Sequence, residues 1–212
     1  GVGEPEAETV VRGPRDGFSE TLKINATLVR RRIRDPKLKV KNTQIGRRSK
    51  TDISLMYIED IVDQKLLAEV KNRLNDIDID AIIDSSTLEH LIEDNYLSPF
   101  PQIENTERPD TVAASLYEGR IAILVDNSPF ALMVPATIGT VLQSAEDYYS
   151  RWTITSVIRL LRAIAGFLAT LSPALYIAIT SFHPGLIPTR LTYYVAASRI
   201  NVPFPAVVEA FL

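Results

Sequence analysis

Ala163 to Phe182 is a run of twenty residues without one formal charge. At about 1.5 Å rise per residue such a helix reaches about 30 Å, the thickness of a bilayer's hydrocarbon core. A buried helix of a soluble protein is the competing reading, but length and lack of charge favour a membrane span. Pro173 lies near the middle of the run. Membrane helices tolerate proline because neighbouring groups satisfy the freed carbonyl, so Pro173 predicts a kink rather than an end. Gly166, Ala169, Thr170, Ser172 and Ala174 are small and suit close helix contact. The run lies far from the N-terminus, which excludes a signal peptide. Arg151, Arg159 and Arg162 precede it, and Arg190 and Arg199 follow. Three against two leans the N-terminal side toward the cytoplasm. Trp152 and the Tyr148–Tyr149 pair before the span, with Tyr193–Tyr194 after it, are expected as interface anchors.

Charge elsewhere is segregated. Residues 12–50 carry 13 Lys and Arg against 3 Asp and Glu, whereas residues 52–147 carry 5 against 19. The overall net charge of −3 is thus the near-cancellation of two opposed blocks, followed by an almost uncharged tail. No cysteine is present, which excludes disulfides, thiolate metal sites and a Cys nucleophile. Only His90 and His183 are available for imidazole chemistry. The basic block has a single aromatic residue, Phe18, so no stacking platform for nucleic acid is visible. Pairing of this block with acidic surface, within the chain or between subunits, is the favoured use; anionic headgroups compete for it.

Periodicity divides the charged part into elements. Phe18, Leu22, Ala26, Val29 and Ile33 trace one helix face, with Asp16 as its cap and Pro36 as its end. The opposite face shows Arg30, Arg31 and Arg32, a candidate assembly surface. Leu38 and Val40 alternate with lysines as a strand, Gly46 to Lys50 is a turn, and Ile53, Leu55 and Tyr57 mark a second strand. Val62 to Leu74 reads as a helix and Ile77 to Ala81 as a short strand. Ser86 and Glu89 read as a capping box for a further helix. Residues 97–109 read as a loop. Pro109 opens a helix that Gly119 stops. Arg120 to Val125 and Phe130 to Val134 are strands about an Asp126–Pro129 turn, and helical pattern resumes near Thr137. The order predicts an α/β class: a soluble mixed-sheet domain followed by the start of an α-helical transmembrane domain. Residues 1–36 are expected to hold the tail of a preceding subdomain and a linking helix. Residues 37–150 form the soluble α/β subdomain, and 151–212 begin the membrane domain, with the span at about 163–182.

Chemical motifs are weak. Gly46 to Thr51 ends like a phosphate loop, but Ser49 and Gln44 stand where the Walker pattern needs glycine. Asp76, Asp78, Asp80 and Asp84 imitate a calcium loop, yet Ala81 and Thr87 occupy its glycine and bidentate-glutamate positions. His90 reads as a surface residue and His183 as a helix end. The expectation is no catalytic residue, no cofactor and no metal.

One family unites the remaining motifs. These are Arg12-Gly13-Pro14-Arg15-Asp16-Gly17-Phe18, Arg30-Arg31-Arg32, Ser49-Lys50-Thr51-Asp52, Tyr57-Ile58-Glu59, Ser98-Pro99-Phe100-Pro101 and Thr106-Glu107-Arg108-Pro109-Asp110. Glu118-Gly119-Arg120, Glu146-Asp147-Tyr148-Tyr149, Arg159-Leu160-Leu161-Arg162, Pro173 to Ala178, Phe182-His183, Ile187-Pro188-Thr189 and Pro203-Phe204-Pro205 complete the series. In this order they resemble the A subunit of spore germinant receptors, the GerA family. The resemblance implies a non-enzymatic protein of the spore inner membrane, with its soluble domain on the cytoplasmic, core side. It implies B and C receptor subunits as partners, membrane lipid, and no nucleic acid. It also implies a homo-oligomer, with a pentamer as a candidate size, that conducts ions when nutrient binds a partner subunit. An accessory branch linked to dipicolinate release shares the early motifs. A membrane-tethered module that binds a small ligand is a further alternative.

Overall fold

Two central strands carry apolar side chains on both faces, and this decides the layering. The computed structural model describes residues 3–5, 7–10, 13–95, 97–137, 139, 145–183, 194 and 197. The chain divides into two units, Gly1–Ser150 and Arg151–Leu212. The first contains α1 (Leu22–Arg32), β1 (Leu38–Ile45), β2 (Thr51–Ile58), α2 (Gln64–Asp76) and α3 (Ser85–Ile92). It continues with β3 (Glu104–Thr106), α4 (Pro109–Tyr117), β4 (Ile121–Val125), β5 (Ala131–Val134) and a 3-10 turn at Ala145–Tyr148. The five strands form one sheet in the order β1-β2-β4-β5-β3, and its four ladders all run antiparallel.

Successive side chains of a strand point to opposite faces. Ile53, Leu55 and Tyr57 of β2 and Ile121, Ile123 and Val125 of β4 meet Leu67, Val70 and Leu74 of α2 and Leu88 and Ile92 of α3. Met56, Ile58, Ala122 and Leu124 meet Leu28 and Val29 of α1 and Val112 and Leu116 of α4. Every residue of β4 is therefore buried. Helices on both faces explain why β4 reads as an unbroken apolar run instead of an alternating one. β1 lies at the sheet edge, and Lys39 and Lys41 along it discourage pairing with a foreign strand. Gly46 adopts φ +97° at the β1–β2 turn, a conformation that favours glycine. Gly119, with φ +86°, follows α4 as expected; a Cβ there would lie 2.9 Å from the Ile61 carbonyl oxygen.

Several boundaries differ from the periodicity. α1 starts at Leu22 rather than near Phe18, and its N-cap Thr21 makes no side-chain cap bond. The Leu22 N–H donates instead to Asp126 Oδ1 at 3.0 Å. Asp16 is thereby released from capping. At α3 the cap is Asp84, which accepts from Thr87 N–H at 3.0 Å, while Ser86 Oγ donates to Asp84 at 2.6 Å. A carboxylate is the stronger acceptor for helix N–H groups, so it displaces the hydroxyl cap expected at Ser86. Residues 77–83 form no strand. Their carbonyls at Ile79 and Asp80 accept from Arg47 and Arg48 N–H of the β1–β2 turn, at 2.9 and 2.8 Å. Alternation there reflects Ile77 and Ile79 packing on the core edge. β3 arises within the expected loop, where Glu104, Asn105 and Thr106 pair with Met133, Leu132 and Ala131.

The second unit is described as one helix, α5 (Trp152–Phe182), 31 residues long. Trp152–Ile179 has the length and apolarity to cross a membrane, and almost none of its most apolar stretch is covered by the chain itself. The helix starts eleven residues before the uncharged run. No glycine or proline breaks Trp152 to Arg162, so nothing stops helix formation from extending through the arginines. Pro173 lies inside α5, where its missing N–H leaves the Ala169 carbonyl without its usual donor. His183 is the C-cap, donating to the Ile179 carbonyl at 3.1 Å. Arg190, Tyr193 and Arg199 lie outside the described residues, as does most of the segment from Thr137 to Ser144.

Candidate functional site: a buried polar junction

The residues singled out by type have simple partners. Arg47 pairs with Asp78, and Arg48 lies 3.8 Å from Asp80. Asp84 caps α3. The acidic run is thus divided between separate tasks. His90 is exposed, 3.8 Å from Glu93. Arg31 and Arg32 of the basic face both grip Asp16, at 2.8 and 2.5 Å. Arg30 is exposed and holds no ion pair among the described residues.

A different group of charges is buried beside the start of α4. Arg108, the N-cap of that helix, is only 1% exposed. Its Nη2 donates to Asp110 Oδ2 at 2.8 Å and to the Pro14 carbonyl at 3.4 Å. Its Nη1 donates to the Glu8 carbonyl at 3.4 Å. Pro109 provides the first helical residue, where a missing N–H costs nothing, and Asp110 complements the helix dipole in the first turn. Tyr149 Oη donates to the same Asp110 Oδ2 at 2.7 Å. Its ring lies against Gly13, where a Cβ would approach Tyr149 Cδ2 to 3.0 Å; Gly13 has φ +141°. Thr106 Oγ1 donates to Glu8 Oε2 at 2.7 Å and accepts from Arg108 N–H at 3.1 Å. Glu107 accepts from Ala7 N–H at 3.0 Å through its side chain, and from Phe18 N–H at 2.8 Å through its carbonyl.

These contacts gather four segments that are far apart in sequence: residues 7–18, the end of α1, the start of α4 and Tyr149. Four of the family-bearing motifs meet here, those at Gly13–Phe18, Arg30–Arg32, Thr106–Asp110 and Tyr148–Tyr149. Arg12 lies outside the described residues. Burial, with the Asp110 hydrogen bond and charge, pushes the Tyr149 phenol up to about 12. Burial works against ionised Asp16, but the hydrogen bond and charge of Arg32 win and hold its carboxyl below the usual range. Glu8 is raised by burial, which outweighs the Thr106 hydrogen bond. A junction of this kind binds chain to chain and offers no activated nucleophile. Arg108 Nε and Asp110 Oδ1 are buried without a hydrogen-bond partner among the described residues. The pairing is therefore sensitive to loss of either member.

Tyr149 departs from its expected role. Tyr148 and Trp152 are exposed, at 63% and 79%, as interface anchors would be. Tyr149 instead turns into the soluble domain. Sequence reasoning also passed over Arg108, Asp110 and Glu8 as site residues. Their one signal was membership of the motif series or of the acidic N-terminal stretch. A cleft of about 420 Å³ lies elsewhere, lined by Leu66, Val70, Ile92, Ile103 and Pro135 and by Arg73, which Glu69 and Asp94 hold.

The whole chain, residues 1–212, matches the family model described as Bacillus/Clostridium GerA spore germination protein. Spore germination protein KA of Bacillus subtilis (strain 168) is 50% identical over 209 residues, which is 99% of this chain and 38% of that protein. Spore germination protein GerLA of Bacillus cereus is 47% identical over 208 residues, 98% of this chain and 42% of that protein. The chain thus spans about two fifths of the length of these curated relatives. Among solved structures, the N-terminal domain of the A subunit of the Bacillus megaterium spore germinant receptor GerK3 is 47% identical. That match covers 57% of this chain and 97% of that one, with a TM-score of 0.47.

Proposed function

Since the chain belongs to the GerA family of spore germination proteins, we propose that it is part of the A subunit of a nutrient germinant receptor. One observation carries this reading: the family match runs without a break from the folded sheet domain into a helix of membrane length. The protein works without catalysis, anchored in the spore inner membrane with the sheet domain on the core side. It assembles with B and C subunits and with copies of itself in a ring. Nutrient binding on a partner opens an ion path, which requires that the nutrient favour one state of the assembly over the other. Arg30, with its neighbours Arg31 and Arg32, supplies an assembly surface. Pro173 provides a bend in the membrane helix.

The test is genetic and ionic. In spores that carry this receptor alone, loss of the gene should abolish nutrient-triggered ion release, and the full-length protein should restore it. Release that persists in the deletion strain overturns the reading. Co-purification of the partners with Arg30→Glu then tests the assembly face. Unchanged recovery of the complex removes Arg30 from it.

A further inference from the structure

Tyr149 is fixed into the sheet domain by its hydrogen bond to Asp110, and only Ser150 and Arg151 separate it from α5. Its seat is made from residues remote from it in sequence. Asp110 accepts its hydroxyl, Arg108 holds that same carboxylate oxygen, and Gly13 leaves room for the ring. A side chain at Gly13 would strike the ring and would also have to adopt a φ that favours glycine. The adjacent Tyr148 is exposed and could have met any purely interfacial need.

We infer that Tyr149 is a positioning residue that couples the sheet domain to the membrane helix, through its hydroxyl on Asp110 and its ring on Gly13. The inference rests on the receptor reading above. A domain that moves when the receptor responds transmits that movement only through segments held firmly to it. Residues 145–151 are the covalent route to α5, and Tyr149 grips that route through Asp110 and Gly13. The grip is one charge-assisted hydrogen bond and one ring contact. It can therefore be weakened without dismantling either apolar face of the sheet, which lies on other residues. Arg108 and Asp110 hold the seat, and Arg32 bears on it from the end of α1.

Two readouts on the full-length protein test this. Tyr149→Phe keeps the ring and removes only the donor. Hydrogen exchange of the purified protein should rise in residues 145–150 and in 13–17, with β2 and β4 unchanged. In spores, the variant should reach normal receptor levels yet release ions about tenfold more slowly at a given nutrient concentration, the scale of one hydrogen bond to a charged group. Asp110→Asn, which also leaves the buried Arg108 without its counter-charge, should have a larger effect on the same segments. Unchanged exchange overturns the grip itself. Raised exchange with an unchanged response overturns the coupling role. A fall in receptor level that accounts for the whole loss of response shows a merely structural residue and also overturns it. Failure of the receptor reading is seen separately, as normal release from the deletion strain.

Discussion

The middle of the sheet and the junction beside α4 are both buried, yet they are held by opposite kinds of force. Around Ile123, Leu124 and Leu116 the contacts are apolar on both faces. Their stabilisation scales with area removed from water, about 25 cal/mol per Å², and has little directional preference. Around Arg108 the contacts are directional. A guanidinium, a carboxylate, a phenol and the Glu8 and Pro14 carbonyls must meet at fixed angles to offset the loss of water. The first arrangement tolerates a change of shape if volume is kept. The second tolerates almost no change of partner. This contrast explains how one domain can have a robust centre and a sensitive margin, with the margin lying at the approach to α5.

Truncation tests the contrast most severely. Arg108→Ala should destabilise the sheet domain by about 3–5 kcal/mol, because Asp110 is left buried without its counter-charge. Replacing Arg108 and Asp110 together by Met and Leu should recover much of that loss, since no lone charge remains. In the apolar centre, Leu116→Ala should cost about 2–5 kcal/mol, but Leu116→Met less than about 1.5 kcal/mol. Thermal unfolding of the purified full-length variants measures all four. If Arg108→Ala proves as mild as Leu116→Met, the junction is not a sensitive margin and the comparison collapses.

How much of this was legible in the sequence follows the same division. Non-directional burial leaves a trace in one dimension. β4 was readable as an apolar run, β2 from the alternation of Ile53, Leu55 and Tyr57, α2 from its three- and four-residue spacing, and the end of α4 from Gly119. The α5 helix was readable in its uncharged part, though not over Trp152 to Arg162, where three turns of helix include arginines. Directional burial leaves almost no trace. A charged Arg108 next to a proline reads as surface, and its partner at Glu8 is 100 residues away. β3 is invisible for a similar reason: Glu104 and Asn105 disfavour strands, and this three-residue segment is extended because β5 offers it a ladder. Asp16 looked like a helix cap because Asp commonly is one. The donor that needed it was taken by Asp126, 104 residues away from Leu22.

A smaller test separates local from tertiary capping. Asp84→Ala should cost about 0.5–2 kcal/mol by removing the α3 cap, whereas Ser86→Ala should be close to neutral. Hydrogen exchange of residues 85–88 would rise only in the first variant. Equal effects would restore Ser86 as the cap and show that proximity in sequence had been the better guide.

The finest test is acid titration of the junction's rim. Asp16 has its carboxyl held below the ordinary range in the folded protein, after burial is outweighed by Arg32. Its folded value lies below its unfolded one, so the unfolded chain binds the proton more readily. The contribution of the Asp16–Arg32 contact is therefore full above the unfolded carboxylate value of about 3.9 and disappears as pH falls through the folded value. Glu8 has the opposite sign. Burial raises it, so protonation favours the fold and partly offsets the loss of Asp16 as the solution is acidified. Asp16→Asn should flatten the fall in melting temperature below about pH 4, whereas Glu8→Gln should steepen it. At the alkaline end Tyr149, pushed up to about 12, is favoured in its neutral form by the fold. Its contribution is full below the unfolded phenol value of about 10 and fades as pH climbs toward the folded value. Tyr149→Phe should abolish that alkaline loss while leaving the acid limb intact. The three variants thus act on different limbs or with different signs, and coincident curves for all three would mean that the junction does not titrate as three separate contacts.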